Sequence, residues 1–435
     1  NCSPYSLNFL QTRLRLGTRI LALTFVDHFK EHTKHYESPS SFWQWSSYTA
    51  IAGALRDNCY RRMGDLKLYP NIYTLLLADS AVHRKGQPVQ LCERLVKATN
   101  STKVISGRSS IQGILDELSR GETDKATGKI HAGGSALFSA QELSAGIVGD
   151  PEAIKIMTDI YDFRDEYTSR LRGSGVFRIK NVCFSMMAAS NAELLLDIYD
   201  TKALFGGLLG RTFLVKPDEF RPANSLFNIQ DTSESYGQLL AKLGEISKLR
   251  GEFDITSEAQ AVYDDWYKPF RKSYQNKADK SGIAGRIHTG IIKIAMILCV
   301  NQTLGLVVNA HHITEAIRVC TSLIPNYTSF VMSSGKAQVS DVAAQLIEDI
   351  WTSREKTLSK SEFLTRHFHQ FDLEIVDKCV MTLVQAGLLN EVMSSNGTDM
   401  GYKITEKCIR VFGLTPVKSD EQIQNTSAEG TTGGK

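Results

Sequence analysis

Residues 71–90, NIYTLLLADSAVHRKGQPVQ, run an apolar segment into a short polar turn and then a basic pair, Arg84 and Lys85, at the head of a helical pattern. A strand, a tight turn and a cation opening a helix form an anion cradle. Backbone N–H groups and the positive helix end stabilise a phosphate, and the lysine reaches its outer oxygens. Asp79, Ser80, Arg84, Lys85, Gly86 and Gln87 are the candidate phosphate-contacting residues.

Around this stretch, from about residue 66 to 217, strand patterns alternate with helical ones, which predicts a mostly parallel α/β sheet. Strands are expected at 73–78, 103–106, 136–140, 182–188 and 212–216, and helices at 89–98, 110–120 and 151–161. Two glycine- and basic-rich connections, 121–134 and 168–180, are longer than simple links require. Upstream, residues 7–63 read as mostly helical, with Phe42, Trp43, Trp45 and Tyr48 as packing aromatics. Downstream, helices are expected at 257–274, 285–300 and 313–323, the second with an apolar face of Ile287, Ile291, Ile294, Ala295 and Leu298. They read as a helical lid beside the sheet.

Residues 339–409 carry three helical segments and a returning hairpin, the pattern of a winged helix, and the chain beyond Pro416 is polar and reads as a disordered tail. The expected division is a helical region over 1–63, an α/β core over 64–225, a helical lid over 226–335, a winged helix over 336–412 and a tail over 413–435.

The 435 residues exceed one ordinary core and imply several domains. With 42% hydrophobic and 22% charged residues the composition is that of a globular protein, and a formal charge of +3 is too small to imply nucleic-acid binding by itself. Any such surface must come from local clusters. Eight cysteines are scattered without a CxxC pair, which argues against a zinc site and for buried reduced thiols in a reducing, cytoplasmic setting. No apolar stretch reaches the ~20 residues of a membrane span. The chain starts at Asn1 without a signal-peptide pattern, so further residues upstream are expected.

Chemistry on a bound triphosphate needs a carboxylate to activate water, a polar group to sense the terminal phosphate, and a positive charge for the transition state. Residues 136–142, ALFSAQE, are an apolar strand ending in an acid, Glu142, preceded by Gln141. Asn191 follows the strand at 182–189 and is the candidate sensor. Arg211, just before the strand at 212–216, is placed to reach a neighbouring subunit, and its guanidinium fork suits a phosphoryl group. Arg286 opens the helix RIHTGIIKIAMIL and is the candidate second sensor. Residues 167–180, YTSRLRGSGVFRIK, read as a β-hairpin with Arg170, Arg172, Arg178 and Lys180 positioned to track a phosphate backbone. The third helix of the winged-helix pattern offers only Lys378 as a base beside Glu374 and Asp377, so docking of a protein suits it as well as DNA.

In order and content these features resemble the AAA+ (P-loop) ATPase module of MCM-type replicative helicases, and more closely the primase-helicase-like proteins of phages and mobile elements. The counterparts are Ala78-Asp79-Ser80-Ala81 with Arg84-Lys85 for the phosphate loop, then Phe138 to Glu142, Ala188-Ala189-Ser190-Asn191, Gly210-Arg211-Thr212-Phe213 and Arg286. The resemblance implies ATP and Mg²⁺ as ligands and a homo-oligomeric ring, a hexamer, moving on single-stranded or forked DNA. It also implies a primase or other replication partner and the cytoplasm of a bacterial host. The chain departs from the family pattern. Counting back from Lys85, the two loop glycines fall on Asp79 and Arg84, and the metal-binding hydroxyl falls on Gly86; a register starting at Ala78 puts Arg84 in the lysine position instead. Gln141 replaces the aspartate that organises Mg²⁺. The alternative is a catalytically weak or inactive scaffold or initiator on DNA.

Overall fold

The computed structural model describes residues 23–79, 82–107, 109–120, 122–123, 130–131, 133–143, 147, 149–162, 164–171, 175–192, 195, 207–224, 232–274, 282–353, 355–369, 371, 373–393 and 400–412. The chain divides into two compact units at Val331 and Met332, each with its own apolar cluster.

The first unit opens with α1 (Phe25–Thr33), whose Thr24 and Asp27 form a reciprocal capping box. Helix α2 (Ser40–Leu55) is buried on almost every side, as expected for a helix inside a core, with Ser46, Ser47 and Thr49 enclosed among its apolar residues. It stops at Arg56, which adopts a left-handed φ of 55°. Residues expected to stay helical as far as Met63 instead form β1 (Cys59–Met63), which turns at Gly64 into β2 (Leu66–Leu68). Gly64 has a φ of 64°, the conformation such a hairpin turn demands.

There follow β3 (Tyr73–Leu77), α3 (Gly86–Thr99), β4 (Lys103–Ser106), α4 (Ile111–Ser119) and the short antiparallel pair β5 (Glu122–Thr123) and β6 (Ile130–His131). Then come β7 (Ser135–Ala140), α5 (Pro151–Tyr161), β8 (Arg164–Leu171), β9 (Gly175–Ser190) and β10 (Thr212–Val215). The central sheet has the order β10-β3-β9-β7-β4, all parallel, with β8 antiparallel to β9. Strands β3, β7 and β10 are buried at every position, which is why they read as continuous apolar runs. From β3 the chain crosses to β4 at one edge, whereas from the adjacent β9 it crosses to β10 at the other. Ligands of open parallel sheets bind outside the carboxyl ends of strands at such a reversal.

The remaining elements of this unit are α6 (Ser233–Ile246), β11 (Gly251–Glu252), β12 (Asp254–Ile255), α7 (Ser257–Tyr274), α8 (Ile287–Thr303), β13 (Val307–Val308), α9 (Ala310–Thr321) and the start of α10 (Ile324–Thr352). One apolar cluster runs from Phe25 to Phe330, so the segments expected as separate regions before 64 and after 225 share a core with the sheet. Helix α8 is buried on almost all sides rather than along one face, because Ile292, Met296 and Ile297 are as apolar as the stripe of isoleucines beside them. It is a core helix that shares the apolar cluster of the sheet. The free edge of β10 is covered by side chains from α10: Leu214 N–H donates to Tyr327 Oη at 3.0 Å, and Asn326 Nδ2 donates to the Leu214 carbonyl at 2.9 Å.

Lys293 on α8 is buried, and its ammonium donates to Asn71 Oδ1 at 2.7 Å and the Asn71 carbonyl at 3.0 Å, over the Tyr161 ring at 3.9 Å. Burial pushes its pKa down to about 7. Between that value and the ordinary lysine range the unfolded chain binds the extra proton. Stability attributable to this residue therefore rises with pH across that window, by about 1 kcal/mol per pH unit, and is flat below it. Urea denaturation should show this rise in the wild type and its loss in Lys293→Met; equal slopes in the two proteins would refute it.

In the second unit the last turns of α10 precede β14 (Thr357–Ser359), α11 (Lys360–His367), α12 (Leu373–Gln385), β15 (Leu389–Met393), β16 (Met400–Ile404) and α13 (Glu406–Phe412). The strands form an antiparallel sheet in the order β14-β16-β15. Val342, Leu346, Phe363, Val376 and Leu389 are central to its core. The seven cysteines among the described residues are all buried thiols outside any disulfide. Among the described residues no helix is long and apolar enough to cross a membrane.

Candidate functional site

The carboxyl ends of β3, β9 and β7 lie side by side because their register aligns Leu77 with Ser190 and Ala140 with Ala188. Ala78 N–H donates to the Ser190 carbonyl at 3.3 Å, and Leu143 N–H to the Ala189 carbonyl at 2.8 Å. Asp79, Asn191 and the pair Gln141-Glu142 thus emerge at one edge of the sheet. Helix α3 begins there as well. Ser139 Oγ donates to Glu93 Oε2 at 2.9 Å, tying α3 to β7.

Lys85 is half-buried, and its Nζ donates to the Ala78 carbonyl at 2.9 Å. Burial lowers its pKa, while the carboxylates of Glu142 and Asp79 pull it upward. Lys85, Asp79 and Glu142 therefore occupy one electrostatic neighbourhood. Arg84 has a left-handed φ of 47° and is followed by Lys85 in the right-handed region. Such a change of hand turns successive N–H groups toward one side, an arrangement that cradles anions.

The other loop residues face elsewhere. Arg84 Nε donates to Glu37 Oε2 at 3.0 Å, and Ser38 Oγ donates to the Arg84 carbonyl at 3.0 Å and to Gln87 Oε1 at 3.1 Å. Arg84 and Gln87 are thereby fastened to the link between α1 and α2 and not aimed at the cleft. Ser80 lies outside the described residues. A Cβ placed on Gly86 would stand 3.2 Å from Gln141 Oε1. The missing hydroxyl at 86 and the amide at 141 are thus neighbours, and the amide occupies the space a side chain at 86 would take.

Beside the loop opens a cavity of about 520 Å³ lined by Asp79, His83, Ala192, Lys216, Asp218 and Glu219 among others. Asp218 and Glu219 accept from the backbone N–H groups of Ser41 and Ser40, which caps α2. Lys216 Nζ donates to Ser329 Oγ at 2.7 Å; burial lowers its pKa and Asp79 raises it. Reasoning from sequence missed Lys216. Its signal was present, since it ends the apolar run TFLV as Glu142 follows its own strand.

Arg211 and Arg286 meet at the opposite ends of the strands. Thr212 pairs with Tyr73 at the start of β3, so Arg211 precedes the amino end of β10. Its Nη2 and Nε donate to Asp162 Oδ2 at 2.5 and 3.2 Å, and its Nη1 to the Gly207 carbonyl at 3.1 Å. Arg286 Nη1 lies 3.8 Å from the same carboxylate oxygen. The Arg211 side chain is 8% exposed and that of Arg286 42%. Burial and the charge of Arg211 lower the pKa of Arg286. Arg286, expected as a lid residue sensing nucleotide, is thus set beside Arg211 and away from Lys85 and the turn before α3 in its own chain. The reason is that α8 passes beneath the amino end of β3, where Lys293 grips Asn71.

The first half of β9 pairs with β8 as a hairpin, and the second half enters the sheet. Asn181, with a φ of 50°, lies where the two halves join. Along the hairpin Arg170, Arg178 and Lys180 are exposed, whereas Tyr167, Ser169, Phe177 and Ile179 are buried, as the two-residue strand period requires. Register sets Arg170 opposite Val176, Arg178 opposite Thr168 and Lys180 opposite Glu166. Arg172 lies outside the described residues. On α12 Glu374 and Lys378 are exposed, and Asp377 pairs with Lys360 at 2.8 Å. No cluster of metal-ligating side chains occurs among the described residues. Neither a scan against protein-family models nor a search of curated proteins returned a match to this chain.

Proposed function

We propose that the chain is an AAA+-type ATPase that acts as a ring of identical copies on single-stranded or forked DNA, in the manner of the replicative helicases and primase-helicases it resembles. The observation that carries this reading is the convergence of Lys85, Glu142, Asp79 and Asn191 where α3 and the carboxyl ends of three adjacent strands meet. Two arginines gather at the other end of the same strands. A nucleotide at the first edge and arginines at the second form one complete site when two copies meet, and head-to-tail contacts of this kind form rings where the rotation between copies closes.

In this scheme the Lys85 ammonium exchanges the Ala78 carbonyl for phosphate oxygens. Glu142 takes a proton from the attacking water, and the Asn191 amide orients that water. Arg211 and Arg286 of the adjacent copy meet the charge developing on the transferred phosphoryl group. Lys216, across the cavity, adds a second cation on the nucleotide side. Arg170, Arg178 and Lys180 follow the DNA backbone without reading bases. The second unit serves as a winged helix for DNA or a replication partner.

Magnesium is a weaker fit. Position 86 offers no hydroxyl and Gln141 is neutral, so the protein donors of the family pattern are missing, and the carboxylates nearby are Asp79 and Glu142. No step of the scheme is routed through the metal. This departure favours the second reading, a catalytically weak or inactive scaffold or initiator on DNA. Thermal unfolding separates the two readings: for an ATPase, ATP at 100 times its Kd should add about 2.7 kcal/mol of stability. Lys85→Ala should lose that gain. An unshifted wild type ends the ATPase reading and favours the inactive scaffold or initiator.

A further inference from the structure

We propose that Asp162 is a positioning residue that holds Arg211 in reserve and releases it when the hairpin β8–β9 takes up single-stranded DNA. The inference rests on the ring-ATPase reading. One carboxylate oxygen, Asp162 Oδ2, accepts from Arg211 at 2.5 and 3.2 Å and stands 3.8 Å from Arg286. The Nε–Nη2 edge of Arg211 is turned onto a carboxylate of its own chain, so that edge of the fork and its charge are not offered to a phosphoryl group.

Asp162 caps the end of α5 and stands two residues before β8, at the root of the hairpin. The residue before it is pinned. The Tyr161 carbonyl accepts from Asn71 Nδ2 at 3.0 Å, its ring packs edge-on against Tyr73 at 4.8 Å, and the same ring lies over the buried Lys293 ammonium. The chain is therefore anchored at 161 and leaves the core at 162. The other root, Val182 opposite Arg164, follows the left-handed Asn181. A pull on the exposed face of Arg170, Arg178 and Lys180 bears on this short segment, and Asp162 is the first side chain beyond the anchor. Moving the carboxylate by a few ångströms breaks charge-assisted hydrogen bonds that depend steeply on distance and angle. DNA on the hairpin thus becomes an available Arg211, beside the more exposed Arg286, at the edge offered to the next copy.

The test is Asp162→Asn, which keeps the shape and removes the charge. Wild type and variant are labelled with phenylglyoxal, with and without oligodeoxythymidine, and Arg211 modification is read by peptide mass spectrometry alongside ATP hydrolysis. In the wild type the oligonucleotide should raise Arg211 labelling and hydrolysis several-fold. In Asp162→Asn both should already be high without DNA, with the stimulation ratio near one. Asp162→Glu should restore low labelling, a rescue that loss of folding could not mimic. Arg178→Ala combined with Lys180→Ala should keep Arg211 shielded and abolish the DNA effect. Wild type that hydrolyses ATP and binds the oligonucleotide with no change in Arg211 labelling overturns the coupling alone. Asp162→Asn labelled as weakly as the wild type overturns the clamp. Wild type that neither binds the oligonucleotide nor hydrolyses ATP overturns the parent reading, and the coupling with it.

Discussion

Glu142→Gln should lower ATP hydrolysis by about 10²–10⁴-fold while leaving the nucleotide-induced gain in thermal stability in place. The substitution keeps the size and most of the hydrogen-bonding shape of the side chain and removes its capacity to accept a proton from water. Glu142 is exposed at the end of β7 and lies close enough to Lys85 for its charge to oppose the lowering of the lysine pKa by burial. That proximity places it beside whatever anion the lysine holds. Binding should survive because Lys85, the turn at Arg84 and the start of α3 are unchanged. A phosphate-release assay beside a thermal melt separates the two effects. A variant as fast as the wild type removes Glu142 from the role of base; a variant that no longer binds nucleotide makes it a binding residue instead.

Arg211→Ala should cost about 10³–10⁵-fold in the hydrolysis rate, the usual worth of an arginine supplied by a neighbour. The stronger test is mixing. Arg211→Ala copies keep Glu142, and Glu142→Gln copies keep Arg211. At equal proportions about a quarter of the joints in a ring combine an intact acid with an intact arginine. Two preparations that are inactive alone should therefore recover about that fraction of wild-type activity together. No recovery, with both variants folded and co-assembled, means that Arg211 works within its own chain or not at all. The structure argues against the first of these, because Arg211 lies at the amino end of β10 while Lys85 follows the carboxyl end of β3.

Much of the fold was legible because strands and helices carry short-range periods. The apolar runs of β3, β7 and β10 announced themselves, and helices 151–161 and 257–274 were placed at their observed limits. The alternation that put Arg170, Arg178 and Lys180 on one exposed face is the same local signal. Helix α8 misled because a run apolar on all sides looks amphipathic to a reader seeking one stripe. Residues 59–63 misled because a positive φ at Arg56, which ends α2, leaves no strong mark in sequence.

Sequence alone determined which residues end strands and therefore which chemistry could stand at a sheet edge: an acid at 142, an amide at 191, a lysine opening α3. Only the tertiary structure decided which of those ends are neighbours and what else gathers there. Strand order is a long-range choice among many pairings, and no local period encodes it. The placement of Lys216 across the cleft, the contact between Gly86 and Gln141, and the union of Arg211 and Arg286 on Asp162 each depend on segments 49 to more than 120 residues apart in the chain. Packing of α8 and α10 against the sheet brings the more distant of them together, because burying those apolar surfaces outweighs the entropy of closing such loops.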